Sequence, residues 1–122
     1  MQIATGIDLI EIDRIQEAID RYGNRFLDRV FTANELFEAG NSPASLAARF
    51  AAKEAVAKAL GTGIGPFTWQ EVEIRSDSSR KPIIILHGNA TKISQELGLT
   101  HWSISLSHSR EYAIAVATGF VE

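Results

Sequence analysis

The stretch Arg49 to Gly65, RFAAKEAVAKALGTGIG, constrains this chain more than any other. No glycine or proline interrupts it before Gly61, so the spacing predicts a helix that ends at Leu60. In rows of four, Ala47, Ala51, Ala55 and Ala59 form one line, and Ala48, Ala52, Val56 and Leu60 the next. Leu46, Phe50, Glu54 and Lys58 form a third, and only Arg49 and Lys53 begin a row that reads as solvated. A helix apolar on most sides is enclosed by its fold, and the alanine row lets a neighbour approach closely. Glu54 and Lys58 then need explaining, because charges are rarely enclosed without partners. One reading is an ordinary i, i+4 surface pair worth roughly 0.2–0.5 kcal/mol. The other is a site.

A second carboxylate bears on that choice. Residues 2–12, QIATGIDLIEI, alternate with period 2 and read as a strand. Ala4, Gly6, Asp8 and Ile10 share one face, so Asp8 lies beside a glycine that leaves room. The alternative is an exposed Asp on an edge strand. Asp13, with Gln16 three residues on, reads as the cap of a helix whose core stripe is Ile15, Ala18, Ile19 and Tyr22 and which Gly23 ends. Arg14, Arg21, Arg25 and Arg29 fall within sixteen residues and make a local cationic surface, or simply a solvated face balanced by Glu17 and Asp20.

Phe26, Leu27, Val30 and Phe31 suggest a short apolar helix, and Thr32 with Glu35 a capping box that opens another, ending at Gly40. Ser42 and Pro43 open the long helix. The following GTGIGP offers closely spaced amides but lacks the Lys-Ser/Thr pair of a P-loop. Strands are expected at 69–76 and 83–86, around the turn DSSRKP. Asn89 is expected to cap a helix with Ile93 and Leu97 inward and Gly98 at its end. Finally, 101–108 (HWSISLSH) and 112–118 read as a β-hairpin. The fold class is α+β: a single domain over 1–122, mostly antiparallel sheet wrapped on one long central helix.

A chain of 122 residues buries enough surface to need no staples. It has no cysteine, which excludes disulfides and thiolate chemistry and is compatible with a reducing cytoplasm, the expected location. No run reaches membrane-spanning length, and the N-terminus lacks a signal-peptide pattern. A net charge of −3 argues against bulk nucleic-acid binding.

Asp8, Glu54 and Lys58, if they meet, fit a magnesium and phosphate site. Magnesium takes a few carboxylate oxygens and leaves other positions to water and phosphates, and the lysine offsets charge that develops in phosphoryl transfer.

GIDLIEIDRI at 6–15, FTANE at 31–35, RFAAKEAVAKALGTG at 49–63 and SISLSHSREYAIAVA at 103–117 together resemble the holo-acyl-carrier-protein synthases, the short bacterial-type 4′-phosphopantetheinyl transferases. The resemblance covers nearly the whole chain, in order. It implies transfer of the phosphopantetheine arm of coenzyme A to a serine of apo acyl carrier protein, in fatty acid biosynthesis, with release of adenosine 3′,5′-bisphosphate. It implies Mg²⁺ on Asp8 and Glu54, with Lys58 on the diphosphate. Arg49, Lys81 and His108 become further coenzyme A ligands, and Arg14, Arg21 and Arg25 the docking surface for the carrier. It also implies a homotrimer with active sites between subunits. Arg80 stands where the family often has the glycine of Gly-Lys-Pro, and Phe50 where it often has tryptophan. His87 and His101 are expected to be structural. Two other readings compete: a non-catalytic module that binds coenzyme A or a carrier, and a magnesium-dependent phosphohydrolase. The second would want more carboxylates and a clear water-activating base.

Overall fold

The fold is organised by how closely one strand approaches one helix. In the computed structural model, which describes residues 2–121, strand β1 (Ile3–Glu11) crosses helix α4 (Pro43–Leu60) at Gly6. A Cβ on Gly6 would lie 1.8 Å from the Ala55 carbonyl oxygen. Glycine in the strand and the alanine row in the helix together permit that approach. Twelve of the eighteen residues of α4 are buried, so it meets neighbours on nearly every side.

Between β1 and α4 run α1 (Ile12–Tyr22), α2 (Asn24–Val30) and α3 (Ala33–Ala39). After α4 come a 3₁₀ turn (Trp69–Glu71), β2 (Val72–Ser76), β3 (Pro82–Leu86), α5 (Gly88–Glu96), β4 (His101–His108) and β5 (Tyr112–Phe120). One antiparallel sheet has the order β1-β5-β4 and a second pairs β2 with β3. The α+β, antiparallel class expected from sequence is the observed one. Asp8 pairs with Ala115 in register, so β1 is held along its length by β5. None of the described helices is long and apolar enough to cross a membrane.

Several local expectations hold. Thr32 and Glu35 form a reciprocal capping box, Ser42 caps α4 with Pro43 in its first turn, and Gly61 ends it with φ 79°. Others do not. Helix α1 begins two residues earlier than a cap at Asp13 implies; Glu11 is the N-cap, without a side-chain cap bond, and its helix starts where β1 stops. His87, not Asn89, precedes α5, and the Asn89 amide donates to Glu71 Oε1 instead. The segment expected as one strand from Trp69 starts with a 3₁₀ turn, because Thr68 and Glu71 form a second capping box. Tyr22 and Leu97, expected inward, are exposed.

The largest correction concerns the row that reads as solvated. Lys53 is fully buried and Arg49 is 7% exposed. The Lys53 ammonium donates to Glu35 Oε1 at 2.8 Å, to the Val72 carbonyl at 2.6 Å and to the Trp69 carbonyl at 3.0 Å. Burial pushes its pKa down, and the Glu35 carboxylate opposes that shift. Glu35 Oε2 also accepts the Ile74 amide at 2.8 Å, so one carboxylate ties α3, α4 and β2 together. Every polar group of this buried pair has a partner, which is the condition for keeping charges inside.

Candidate active site

Asp8 and Glu54 meet. The period-2 register of β1 turns Asp8 onto the face that packs against α4, two residues beyond Gly6. Glu54 lies on α4 one residue before Ala55, the contact point for Gly6. The two line one cavity of about 390 Å³ with Ile10, Arg14, Phe26 and Phe50. Burial raises the pKa of the Glu54 carboxyl and the charge of Asp8 raises it further, while Lys58 opposes both.

Lys58, one turn beyond Glu54, is held rather than free. Its ammonium donates to Asp8 Oδ1 at 3.0 Å and to the Ile7 carbonyl at 2.9 Å. Its side chain is 52% exposed and that of Asp8 17%, so the ammonium bonds Asp8 while remaining open to solvent. Two carboxylates lie side by side here, and Lys58 offsets the charge of the pair. Such a donor set suits a hard cation that keeps waters and substrate oxygens for its remaining positions. No cluster of three or more acidic, His or Cys ligands occurs among the described residues.

A basic surface continues from this cavity. Arg14 lines it, and further along the same side Arg21, Arg25 and Arg29 are exposed, with the Arg21 guanidinium 5.6 Å from the centre of the Tyr22 ring. Phe50, in the expected aromatic position, is half-buried and stacks on Trp69 with ring centres 4.7 Å apart.

The remaining expected ligands lie elsewhere. Arg49, Lys81 and His108 line a second cavity, about 480 Å³, that shares no residue with the first. It opens on a different side of α4, between the β2–β3 turn and the end of β4. Arg75 and Arg80 also line it; Arg75 had no signal beyond an ordinary strand alternation. Arg49 is anchored by Ser45 Oγ and by Glu38 Oε1 at 3.6 Å. The glycine loop after α4 is not a phosphate cradle, because the amides of Gly61, Thr62 and Gly63 donate to the carbonyls of Ala57 and Lys58.

His87 and His101 serve the fold, as expected. His87 Nε2 lies 3.0 Å from Glu73 Oε1, and His101 stacks on Phe120. Burial raises the Glu73 pKa, but bonds from Thr32, His87 and Asn34, with Arg75 nearby, outweigh it and hold this carboxyl below the usual range.

Comparisons with known proteins bear on the family and the fold. The chain is 49% identical to a holo-[acyl-carrier-protein] synthase of Herpetosiphon aurantiacus, over 96% of this chain and 98% of that one. Its fold matches the crystal structure of the Helicobacter pylori holo-[acyl-carrier-protein] synthase in complex with coenzyme A. The TM-score is 0.88 at 31% identity, covering 95% of this chain and 99% of that one. It also matches the Bacillus anthracis enzyme in complex with CoA (3′,5′-ADP), with TM-score 0.80 at 34% identity, covering 98% and 96%. The sequence pattern of the 4′-phosphopantetheinyl transferases matches residues 4–117, and this chain belongs to that superfamily.

Proposed function

We propose that this protein is a holo-acyl-carrier-protein synthase. It moves the 4′-phosphopantetheine arm of coenzyme A onto a serine of apo acyl carrier protein, in the cytoplasm and in fatty acid biosynthesis. The observation that carries the reading is that Asp8 and Glu54 line one cavity while Lys58 is bonded to Asp8 beside it. Asp8 and Glu54 are the ligands for Mg²⁺, which when bound supplies Lewis-acid polarisation of the diphosphate.

The chain's own residues do the rest. Lys58, positioned by the Ile7 carbonyl, offsets charge on the diphosphate as it becomes a leaving group. The serine oxygen attacks the phosphorus on the pantetheine side, the bond to the bridging oxygen breaks, and adenosine 3′,5′-bisphosphate leaves. The hydroxyl proton passes to a carboxylate or a water at this pair. Arg14, Arg21 and Arg25 dock the acidic carrier, and the placement of Arg14 on the cavity wall brings a docked carrier to the carboxylates.

One copy of the chain carries its acidic and basic cavities apart, and one substrate needs both. A homotrimer whose sites form between neighbours joins the acidic cavity of one copy to the basic cavity of the next. The outer face of β1 supports such assembly: Ile3, Ile7 and Leu9 are 59%, 54% and 60% exposed, an apolar stripe with no cover on one copy.

Intact-mass spectrometry of apo carrier incubated with this protein, coenzyme A and Mg²⁺ tests the activity. The expected gain is one phosphopantetheine arm, lost with chelator. No gain, with coenzyme A still bound, would leave a binding module.

A further inference from the structure

Building on that reading of function, we propose that Arg80 is a specificity residue that recognises the ribose 3′-phosphate of coenzyme A in the basic cavity. Coenzyme A carries two separate anionic groups, the diphosphate at which the bond breaks and a phosphate monoester on the ribose. With the diphosphate at Asp8, Glu54 and Lys58, the monoester needs its own cationic site. The second cavity has that character. Arg49, Arg75, Arg80, Lys81 and His108 all line it, and no carboxylate does.

Its donors divide into two kinds. Arg75 Nε and Arg49 are braced from behind by Glu38, at 3.1 and 3.6 Å. Yet Arg49 Nε is buried without a hydrogen-bond partner, an orphan that a bound anion would satisfy. Among the described residues the side chains of Arg80 and Lys81 make no hydrogen bond or ion pair with the protein, so their donors are available. A phosphate dianion offers three acceptor oxygens, matching a planar guanidinium fork and an ammonium together.

The backbone singles out Arg80 from this group. It has φ 64°, and no other non-glycine residue among those described has a positive φ. That conformation is unfavourable for a residue with a Cβ and easy for glycine. The turn enforces it: Asp77 Oδ1 accepts the amides of Ser79 and Lys81 at 2.7 and 2.9 Å, and the Arg80 amide donates to the Asp77 carbonyl at 2.9 Å. Arginine gives this turn no packing and no internal bond that glycine would lack. What it adds is a guanidinium on the wall of a cavity that already holds four basic groups.

The test uses Arg80→Gly, which suits the turn, and Arg80→Lys, which keeps the charge. Steady-state transfer to apo carrier is measured with coenzyme A and with 3′-dephospho-coenzyme A. For Arg80→Gly the KM for coenzyme A rises about tenfold, the scale of one charge-assisted bond, with the loss in KM rather than kcat. The KM for the dephospho substrate does not move, so the preference between the two substrates shrinks by the same factor. Arg80→Lys recovers part of it. Calorimetric titration with adenosine 3′,5′-bisphosphate and with AMP repeats the contrast without catalysis. An unchanged KM, or an equal rise for both substrates, overturns the assignment. Wild-type protein that transfers nothing from either substrate would instead overturn the functional reading beneath it.

Discussion

The acidic and basic cavities differ in how their charges are held. Asp8 and Glu54 sit on the two most constrained elements of the fold, where Gly6 brings β1 against α4. The packing half-buries Glu54 beside Asp8, and its pKa is raised first by that burial and then by the Asp8 charge. The basic cavity draws Arg80 and Lys81 from a turn and His108 from a strand end, while Arg49 of α4 and Arg75 of β2 are held by Glu38. On the proposed function, rigid packing places the groups that would meet a reacting phosphorus, and the basic cavity would hold a distal anion. Geometry matters most where charge develops in the transition state.

Removing a carboxylate gives the largest effect. Asp8→Ala and Glu54→Ala each lower turnover by on the order of 10³-fold while the thermal unfolding midpoint stays near that of wild type. Near-normal turnover in either variant breaks the assignment of the pair. Next come substitutions that disturb α4 itself. Lys53→Met strands the Glu35 carboxylate inside the protein and lowers stability by roughly 3–5 kcal/mol in urea titration. Gly6→Ala drives a methyl into the Ala55 carbonyl and costs roughly 3 kcal/mol, with turnover falling in step as Asp8 moves away from Glu54.

Cation binding separates the two cavities more gently. Mg²⁺ at a hundredfold excess over its Kd stabilises the protein by about 2.7 kcal/mol, read from the thermal midpoint, and Glu54→Gln abolishes the gain. A gain that survives Glu54→Gln would place the metal elsewhere.

The smallest effect is on acid stability. The folded-state pKa of Glu73 lies below its unfolded value, so its contribution is present above about pH 4 and is lost as pH falls through the folded value. Glu54 has the opposite sign: its ionised form is disfavoured in the fold, so protonation relieves the protein as pH falls through its raised value. Glu73→Gln flattens the acid limb of a stability–pH profile, and Glu54→Gln steepens it. The same change of slope in both variants would contradict the opposite signs.

Asp8 was legible because period 2 alone puts it on the face of Gly6, and Glu54 because it interrupts an otherwise apolar helix row. Their meeting was not legible, since it depends on a strand–helix crossing 46 residues apart in sequence. Lys53 misled for a related reason. With Arg49 it forms an i, i+4 polar row like any wet helix edge, and its partner Glu35 comes from a helix that had already used that residue as a cap. A usable signal was present, since no acidic residue lies three or four positions from Lys53 to balance it on a surface. Arg49, Lys81 and His108 were gathered into one ligand set with Lys58, and only the folded chain puts those three on one cavity and Lys58 beside Asp8.

That separation makes subunit complementation the most direct test of the central claim, that one site takes its two halves from two copies. Asp8→Ala protein lacks a working acidic half, and the double variant Lys81→Ala, His108→Ala lacks a working basic half. Each is nearly inactive alone at coenzyme A concentrations well below KM. Co-expressed in equal amounts, random assembly pairs an intact acidic half with an intact basic half at about a quarter of the interfaces, so about a quarter of wild-type activity returns. Activity that stays at the level of the separate variants would mean that each chain carries its site alone.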